Sequence, residues 1–467
     1  MEELKKFDII VLGGGPGGYP AAIKAAQLGQ SVALIEAKEL GGTCLNRGCI
    51  PSKTLIANAE VLNKIKNAEE YGIVVGSVKF DYPKMVQRKD QVVTKVRQGL
   101  EGLIAANKIT LYRGFGKFVS PKTLKVIGKD SGLIQGEKII IATGSEPRNI
   151  PAFPFDHELI HDSTSLLNIT KLPRRIAIVG GGIIGCEFAS LFEILGVEVT
   201  VMEMLPRILP TESEHVSAAL AKIFVKKGIV IETNAMVQEI KKGAKGVTVI
   251  LAGGKSVEAD MALVAVGRSL NTSGIGLESA GVLVEPSGII PVNEKMETNV
   301  PDIYAIGDIA SKWWLAHVAT HQGLIAAANA SGKHGRMNYD AIPSVIFTEP
   351  EIGTVGLTIE QALARGFKAT VGAFPFQALG KSQATMETEG FAQVVTDRKT
   401  GRILGAQVVG HDASTLIAEM AVAVANELTL ESIAETIHAH PTVPEAWLEA
   451  ALMANDTPLH LPPKRAK

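Results

Sequence analysis

Residues 7–18 read Phe7-Asp8-Ile9-Ile10-Val11-Leu12-Gly13-Gly14-Gly15-Pro16-Gly17-Gly18. An apolar run broken only by Asp8 ends in a cluster of glycines, and apolar Ala22, Ile23, Ala26 and Leu28 follow at helical spacing. The pattern is a buried strand, a tight turn and a helix. Gly13, Gly15 and Gly18 match Gly-x-Gly-x-x-Gly. The first glycine permits the turn, the second lets a pyrophosphate approach the backbone, and the third lets the helix lie against the strand. The start of the helix then faces the phosphates with its partial positive charge. A second strand, residues 31–35, ends at Glu36, whose carboxylate suits both hydroxyls of a ribose.

The arrangement occurs twice. A strand over residues 175–179 runs into Gly180-Gly181-Gly182-Ile183-Ile184-Gly185, a helix follows, and a strand over 198–202 ends at Glu203. Gly13, Gly15, Gly18 and Glu36 recur as Gly180, Gly182, Gly185 and Glu203 with the same internal spacing. A single such motif is weak, because glycine-rich turns are common. Two copies in the same strand–turn–helix context, each with an acid at the next strand end, predict two dinucleotide sites. At the second, Glu203 repels a 2′-phosphate and Met204 and Leu205 supply no arginine, so NAD is expected over NADP.

Soon after Glu36 comes Gly41-Gly42-Thr43-Cys44-Leu45-Asn46-Arg47-Gly48-Cys49-Ile50-Pro51-Ser52-Lys53, which holds two of the chain's three cysteines. A redox-capable dithiol beside the first dinucleotide makes that site the flavin site and leaves the second for the nicotinamide. A close cysteine pair also suits metal, but a structural zinc takes about four ligands and no second Cys/His cluster lies nearby, so no metal is expected. Three cysteines are too few for a secreted disulfide framework.

At 467 residues the chain exceeds one ordinary core and suits about three or four domains. Its 46% hydrophobic content and 47 glycines fit a glycine-rich α/β protein rather than a disordered or fibrous one. A formal charge of −1 gives no reason to expect nucleic acid or an anionic membrane as partner. No window supplies the ~18 uninterrupted apolar residues of a spanning helix; the best, 416–428, is broken by Glu419, Asn426 and Glu427. Met1-Glu2-Glu3-Leu4-Lys5-Lys6 leads straight into the first strand without a signal or transit pattern, so a reducing cytoplasm is the expected compartment.

Residues 84–107 carry apolar positions at roughly helical spacing and predict a long amphipathic helix. A buried strand over 138–142 ends in Thr143-Gly144-Ser145, ahead of a proline-containing link over 146–154 where a domain boundary is placed. The strand over 261–266 ends at Gly267-Arg268 and closes the second unit. Another strand, within 299–308, ends at Asp308, a turn residue or equally a ribityl or pyrophosphate contact. From Pro343 the texture changes. Strands over 344–348, 370–376 and 392–396 precede helices over 414–426 and 430–437, an α+β domain of antiparallel sheet and helices. Near its end stand His438-Ala439-His440-Pro441-Thr442-Val443-Pro444-Glu445. An acid beside a histidine makes a general-base layout, yet on spacing alone a structural or solvated histidine is the commoner outcome.

Taken together, these motifs resemble the FAD-dependent pyridine nucleotide–disulfide oxidoreductases, from Phe7 into the C-terminal domain. The resemblance is carried by residues 41–53, 13–19, 142–145, Leu315-Ala316-His317 and 438–445. It implies an α/β fold with two Rossmann-like dinucleotide-binding domains, for FAD and NAD, plus a C-terminal α+β dimerisation domain. The implied boundaries are 1–149 for FAD, 150–272 for NAD, 273–343 for a central domain completing the FAD site and 344–467 for the interface. It implies a homodimer whose active site joins Cys44 and Cys49 of one subunit to His440 of the other, with Glu445 orienting the imidazole. Cys44 and Cys49 would form a resting disulfide, Cys44 exchanging with substrate thiols and Cys49 facing the flavin. Glu36, Lys53, Gly116, Asp308 and Ala316 would touch FAD, with Thr143 and Gly144 beside them. Ile184, Glu187, Glu203 and Gly267 would lie along NAD, and Arg268 joins the candidate cofactor residues. The implied activity is oxidation of protein-bound dihydrolipoyl groups with reduction of NAD⁺. The partners would be lipoyl domains of a 2-oxoacid dehydrogenase acyltransferase or a glycine cleavage H-type protein. A sister NAD(P)H-dependent reductase, glutathione- or mercuric-reductase-like, fits less well: arginines near the second ribose are missing and residues 461–467 hold no cysteine pair. Pro20, Gln322, Pro444 and Trp313-Trp314 depart from the family's usual residues.

Overall fold

A computed structural model describes residues 4–462, and the chain forms two compact units. The first comprises the described residues up to Ile150 together with Asp162–Leu172 and Val266–Asn338. The second comprises Pro151–His161, Pro173–Ala265 and the described residues from Tyr339 onward. Both dinucleotide-type turns sit in parallel sheets, one in each unit, and the expected α/β class is what the chain adopts.

In the first unit the strand Lys5–Leu12 is central. It pairs in parallel with Val32–Glu36 on one side and Gly132–Ile141 on the other, with Ile9 opposite Val32 and Ile10 opposite Ile139. Thr110–Ser120 and Ile303–Ala305 extend the parallel layer at its two ends. Ile9, Ile10, Val11, Leu34 and Ile140 are wholly buried, as a parallel sheet covered on both faces requires. The strands Thr110–Ser120 and Gly132–Ile141 run on past this layer and pair antiparallel with Thr123–Gly128. Their inward side chains, Phe118, Leu124, Val126 and Ile134, pack beneath Leu277 and Ile290. The long helix predicted over 84–107 spans Tyr82–Ala106, with Asp81 capping it by accepting from the Lys84 amide at 3.1 Å.

In the second unit Arg175–Val179 pairs in parallel with Glu198–Met202 and Met261–Val264. The C-terminal part is an antiparallel five-stranded sheet in the order Pro343–Ile346, Glu351–Gly356, Ile403–Gly410, Phe391–Asp397, Ala369–Pro375. Ile403–Gly410 is buried at every position. The helices Ala413–Ala425 and Glu445–Ala454 pack on this sheet, and Trp447, fully buried, donates its indole N–H to the Leu416 carbonyl at 3.2 Å. Polar side chains buried in the sheet are paired: the Gln393 amide donates to Gln407, and Gln393 Oε1 lies 2.7 Å from His215 Nδ1. No described helix is long and apolar enough to cross a membrane.

Asp156 organises the entry into this unit. Its Oδ1 accepts from the amides of Glu158, Leu159 and Ile160 at 2.9, 2.9 and 2.8 Å, and Lys242 pairs with its Oδ2 at 3.2 Å. Burial opposes ionisation, but the three amides and Lys242 outweigh it and hold the carboxyl well below the usual carboxylate range. A depressed folded-state value means that this stabilisation is complete above the ordinary Asp value of about 3.9 and fades as pH falls through the lowered one. Asp156→Ala is therefore expected to lower the unfolding temperature at pH 7. The gap from the parent protein should narrow steadily below about pH 4, as thermal melts across pH would show.

Candidate active site

The two glycine turns have the same construction. Gly13 and Gly180 both lie at φ +108°, where only glycine is unstrained. Their amides donate to the carbonyls of Ile35 and Met202 at 2.8 Å each, which ties each turn to the neighbouring strand. A Cβ on Gly18 would stand 1.8 Å from the Gly13 carbonyl oxygen, and one on Gly185 would stand 1.9 Å from that of Gly180. The third glycine of each motif is thus a close-packing requirement. By contrast, a Cβ on Gly15 would meet only the Gly42 Cα at 3.8 Å, and one on Gly182 nothing within 4 Å. The second glycines therefore border open space. No side chain caps the helix Gly18–Gln27 or the helix Ile183–Ile194.

The strand-end acids match as well. Glu36 accepts from the Gly14 and Lys38 amides at 2.7 and 2.8 Å. Glu203 accepts from the Gly181 and Leu205 amides at 2.7 and 2.8 Å. Each carboxylate is fixed by backbone on both sides of the turn, with lone pairs remaining for ribose hydroxyls. Ile184 and Glu187 lie in the first turns of the helix Ile183–Ile194. The Glu187 carboxylate accepts the Phe347 amide at 3.0 Å. Cys186, wholly buried, approaches the Gly181 carbonyl at 3.4 Å, and burial pushes its thiol up, out of reach of thiolate chemistry.

Cys44 and Cys49 form a disulfide with their Cα atoms 4.7 Å apart. Cys44 lies in the short helix Gly42–Arg47, and Cys49 opens the helix Cys49–Lys66, which carries Lys53 one turn further on. The pair is held against the first glycine turn by backbone. The Gly41 amide donates to the Gly14 carbonyl at 2.9 Å, and a Cβ on Gly42 would stand 2.6 Å from the Gly15 Cα. Asn46, inside the loop, donates to the carbonyls of Leu40 and Gly42 at 3.0 and 2.9 Å and accepts from Arg97 at 3.2 Å. Asn46 and Arg97 are absent from the sequence-level candidates; Arg97 lies in another helix, and only the fold brings it to the loop.

Several other candidates gather in the same unit. The helix Ala316–Ala330 begins at Ala316 and crosses the helix Gly18–Gln27, where Gly323 and Gly17 meet so closely that a Cβ on Gly323 would lie 2.3 Å from the Gly17 carbonyl oxygen. Thr320 adds a hydrogen bond to the Pro16 carbonyl at 2.8 Å. Gln322, fully buried, accepts the Gly307 amide at 2.7 Å and so supports the turn carrying Asp308. Thr143 and Asn271 exchange hydrogen bonds at 2.8 and 3.0 Å, and Gly144 lies at φ +66°. Gly116 is packed against Leu12 and Ile35, the former only 2.4 Å from where its Cβ would be. Gly267 and Arg268 fall within this first unit, where Arg268–Leu270 pairs antiparallel with Ser145–Pro147.

In the second unit, His440 Nδ1 lies 2.8 Å from Glu445 Oε1, and the Thr442 amide donates to Glu445 Oε2 at 2.7 Å. A cis His440–Pro441 peptide turns the chain between them. Burial of Glu445 opposes ionisation, but the Thr442 amide and then the His440 contact hold its carboxyl below the usual range. The imidazole is 78% exposed while Glu445 is 20% exposed, so the dyad presents its histidine outward on a fixed acid. His438, by contrast, is turned inward, with Nε2 3.0 Å from Glu419 Oε1. Among the described residues no group of three or more His, Cys, Asp or Glu is placed to hold a metal ion.

Comparison with known proteins agrees along the whole chain. Residues 7–323 match the pyridine nucleotide-disulphide oxidoreductase family, and residues 342–451 match that family's dimerisation domain. The dihydrolipoyl dehydrogenase of Chlamydia pneumoniae is 53% identical, over 98% of this chain and 99% of that protein. That of Geobacillus stearothermophilus is 41% identical, over 97% of each. Among solved structures, LpdA from Mycobacterium tuberculosis superposes with a TM-score of 0.90 at 29% identity, covering 96% of this chain and 99% of that one. The HOCl-induced flavoprotein disulfide reductase RclA from Escherichia coli gives 0.85 at 29% identity, over 95% of this chain and 99% of its own. Two matched glycine turns, a disulfide packed on one of them and whole-length similarity at this level lead to one conclusion: the chain belongs to the pyridine nucleotide-disulphide oxidoreductase family.

Proposed function

We propose that the chain is an NAD-dependent, FAD-containing enzyme that oxidises dihydrolipoyl groups carried on a partner protein, with Cys44–Cys49 as the redox disulfide. The observation that carries this reading is that disulfide, held by backbone contacts against the first glycine turn. The dihydrolipoyl dehydrogenases similar to it along its whole length point the same way. The turns fit dinucleotides, because open space borders Gly15 and Gly182 beside helix starts that no side chain caps. Glu36, Lys53, Gly116, Thr143, Gly144, Asp308 and Ala316 would hold FAD; Ile184, Glu187, Glu203 and Gly267 would line NAD⁺. FAD, when bound, supplies the two-electron link between the dithiol and NAD⁺.

The chain's own residues handle the thiols and the protons. His440, fixed through Nδ1 by Glu445, takes a proton at Nε2 from one substrate thiol. The thiolate attacks Cys44, the Cys44–Cys49 bond breaks, and Cys49 leaves as a thiolate. The second substrate thiol then displaces Cys44, closing the substrate disulfide and leaving the enzyme as the dithiol. Substrate loses two electrons, and the cysteine pair gains them. Lys53, one turn into the helix that Cys49 opens, would stabilise the negative charge.

The enzyme would act as a homodimer through the domain at 344–467, His440 of each subunit serving the disulfide of the other. The domains would run 1–149 for FAD, 150–272 for NAD and 273–343 for the central domain. Lipoyl domains of a 2-oxoacid dehydrogenase acyltransferase or a glycine cleavage H-type protein would present the substrate, in a reducing cytoplasm.

The deciding experiment is steady-state turnover of the purified protein with dihydrolipoamide and NAD⁺, against NADP⁺, and against NADPH with glutathione disulfide. NADH formation with the first pair alone is expected; turnover confined to the last pair would move the chain to a sister disulfide reductase. Cys49→Ser is expected to abolish dihydrolipoamide-dependent NADH formation while FAD stays bound, and surviving turnover would remove the disulfide from the reaction. His440→Gln should slow reduction of the enzyme by dihydrolipoamide by roughly 100-fold or more. Reoxidation by NAD⁺ should hardly change. Stopped-flow traces of the two half-reactions separate these outcomes, and equal slowing of both would take away the base role of His440.

A further inference from the structure

We propose that Ser145 and Arg268 are positioning residues for Asp308 in the flavin site, a chain of hydrogen bonds that neutralises this carboxylate and fixes its direction. The proposal rests on reading Asp308 as a flavin contact. It assigns Arg268 to the flavin side of the molecule, although the sequence places it at the strand end that closes the nicotinamide unit.

Arg268 Nε donates to the Ser145 hydroxyl at 2.6 Å, and that hydroxyl donates to Asp308 Oδ2 at 2.5 Å. The Arg268 guanidinium also donates to the Ser145 carbonyl at 2.7 Å. A serine hydroxyl has one proton, so accepting from Arg268 commits that proton to Asp308. Ser145 is 3% exposed, so water does not take over either role. The backbone fixes the arrangement from both sides. Ser145–Pro147 and Arg268–Leu270 form a two-stranded ribbon with Ser145 opposite Leu270, and Arg148 reaches back to the Arg268 carbonyl at 3.3 Å. Gly307, just before Asp308, is anchored on Gln322.

The physical need is plain. A carboxylate beside an anionic dinucleotide repels it unless a cation compensates, and a buried charge is costly unless paired. Arg268 supplies the compensation through Ser145 without occupying the position of the cofactor. Burial pulls the guanidinium below its ordinary range while Asp308, Glu146 and Asp162 pull it back up, which marks a desolvated cation facing carboxylates. With Oδ2 tied to Ser145, Oδ1 of Asp308 is left as the acceptor for a cofactor hydroxyl.

The test uses full-length holoenzyme and five variants: Asp308→Asn, Ser145→Ala, Ser145→Thr, Arg268→Gln and the double variant Asp308→Asn with Ser145→Ala. FAD affinity is read from the fluorescence of released flavin, and NAD⁺ affinity from titration of the holoenzyme. Asp308→Asn, Ser145→Ala and Arg268→Gln should each weaken FAD on the order of tenfold, and Ser145→Thr, which keeps the hydroxyl, should retain it. In the Asp308→Asn background Ser145→Ala should add less than about twofold, because the bond it removes has lost its charged acceptor. NAD⁺ affinity should stay within about twofold for the Ser145 and Arg268 variants. Full additivity between the Ser145 and Asp308 changes would overturn the proposal, since a merely structural serine acts independently of the charge on residue 308. So would an Arg268→Gln protein that loses NAD⁺ and keeps FAD. If Asp308→Asn weakens FAD while Ser145→Ala and Arg268→Gln do not, the flavin reading of Asp308 stands and this proposal alone falls. If Asp308→Asn binds FAD like the parent, both fall. Should Arg268→Gln fail to fold, the Ser145 pair decides.

Discussion

The Cα of Gly42 lies over the Cα of Gly15, close enough that a methyl group on the former would come within 2.6 Å of the latter. Two loops approach this closely only where neither has a side chain. The amide of Gly41, bonded to the carbonyl of Gly14, fixes the register of that approach. From this contact the remaining geometry follows. The short helix after Gly42 carries Cys44, the next helix opens with Cys49, and Asn46 ties the loop between them to the carbonyls of residues 40 and 42. The redox pair is therefore positioned by the first glycine turn, not by the surface around it.

Much of this was legible in the sequence because it is written in local patterns. The two glycine turns and the acids Glu36 and Glu203 sit in short windows, and the strands Arg175–Val179 and Glu198–Met202 fall where their apolar runs place them. The long helix falls at Tyr82–Ala106, within about two residues of its predicted ends. Other elements left no such trace. Glu351–Gly356 and Ile403–Gly410 each hold two glycines, which break up the apolar run and mask the strand pattern. Their glycines serve packing: a Cβ on Gly405 would stand 2.2 Å from the Leu357 carbonyl oxygen, and one on Gly353 would stand 2.6 Å from that of Ala413. The strand Thr123–Gly128 is short, with Leu124 and Val126 facing inward and Lys125 and Ile127 outward, and apolar residues on both faces blur its alternation.

The supporting side chains were less legible still. Arg97 meets Asn46 across 51 positions, Ser145 meets Asp308 across 163, and Thr143 meets Asn271 across 128. No periodicity encodes such pairs; the last two join the first segment of the first unit, which ends at Ile150, to its last, which begins at Val266. His440 and Glu445 are the opposite case, five positions apart and joined across one turn. Gln322, a departure from the family's usual glutamate, accepts the Gly307 amide as a carboxylate also would.

The two bonds that Glu203 makes to backbone amides have an evolutionary consequence. The side chain proposed to repel a 2′-phosphate is also a staple of its own turn, gripping Gly181 on one side and Leu205 on the other. A mutation that removes its charge to welcome a phosphorylated cofactor loosens the loop that must bind it. A mutation that adds a cation at Met204 or Leu205, both exposed, leaves the repelling acid in place. On the proposed reading of this strand end, a change of nicotinamide cofactor would have to come with a new anchor for the turn that Glu203 now holds.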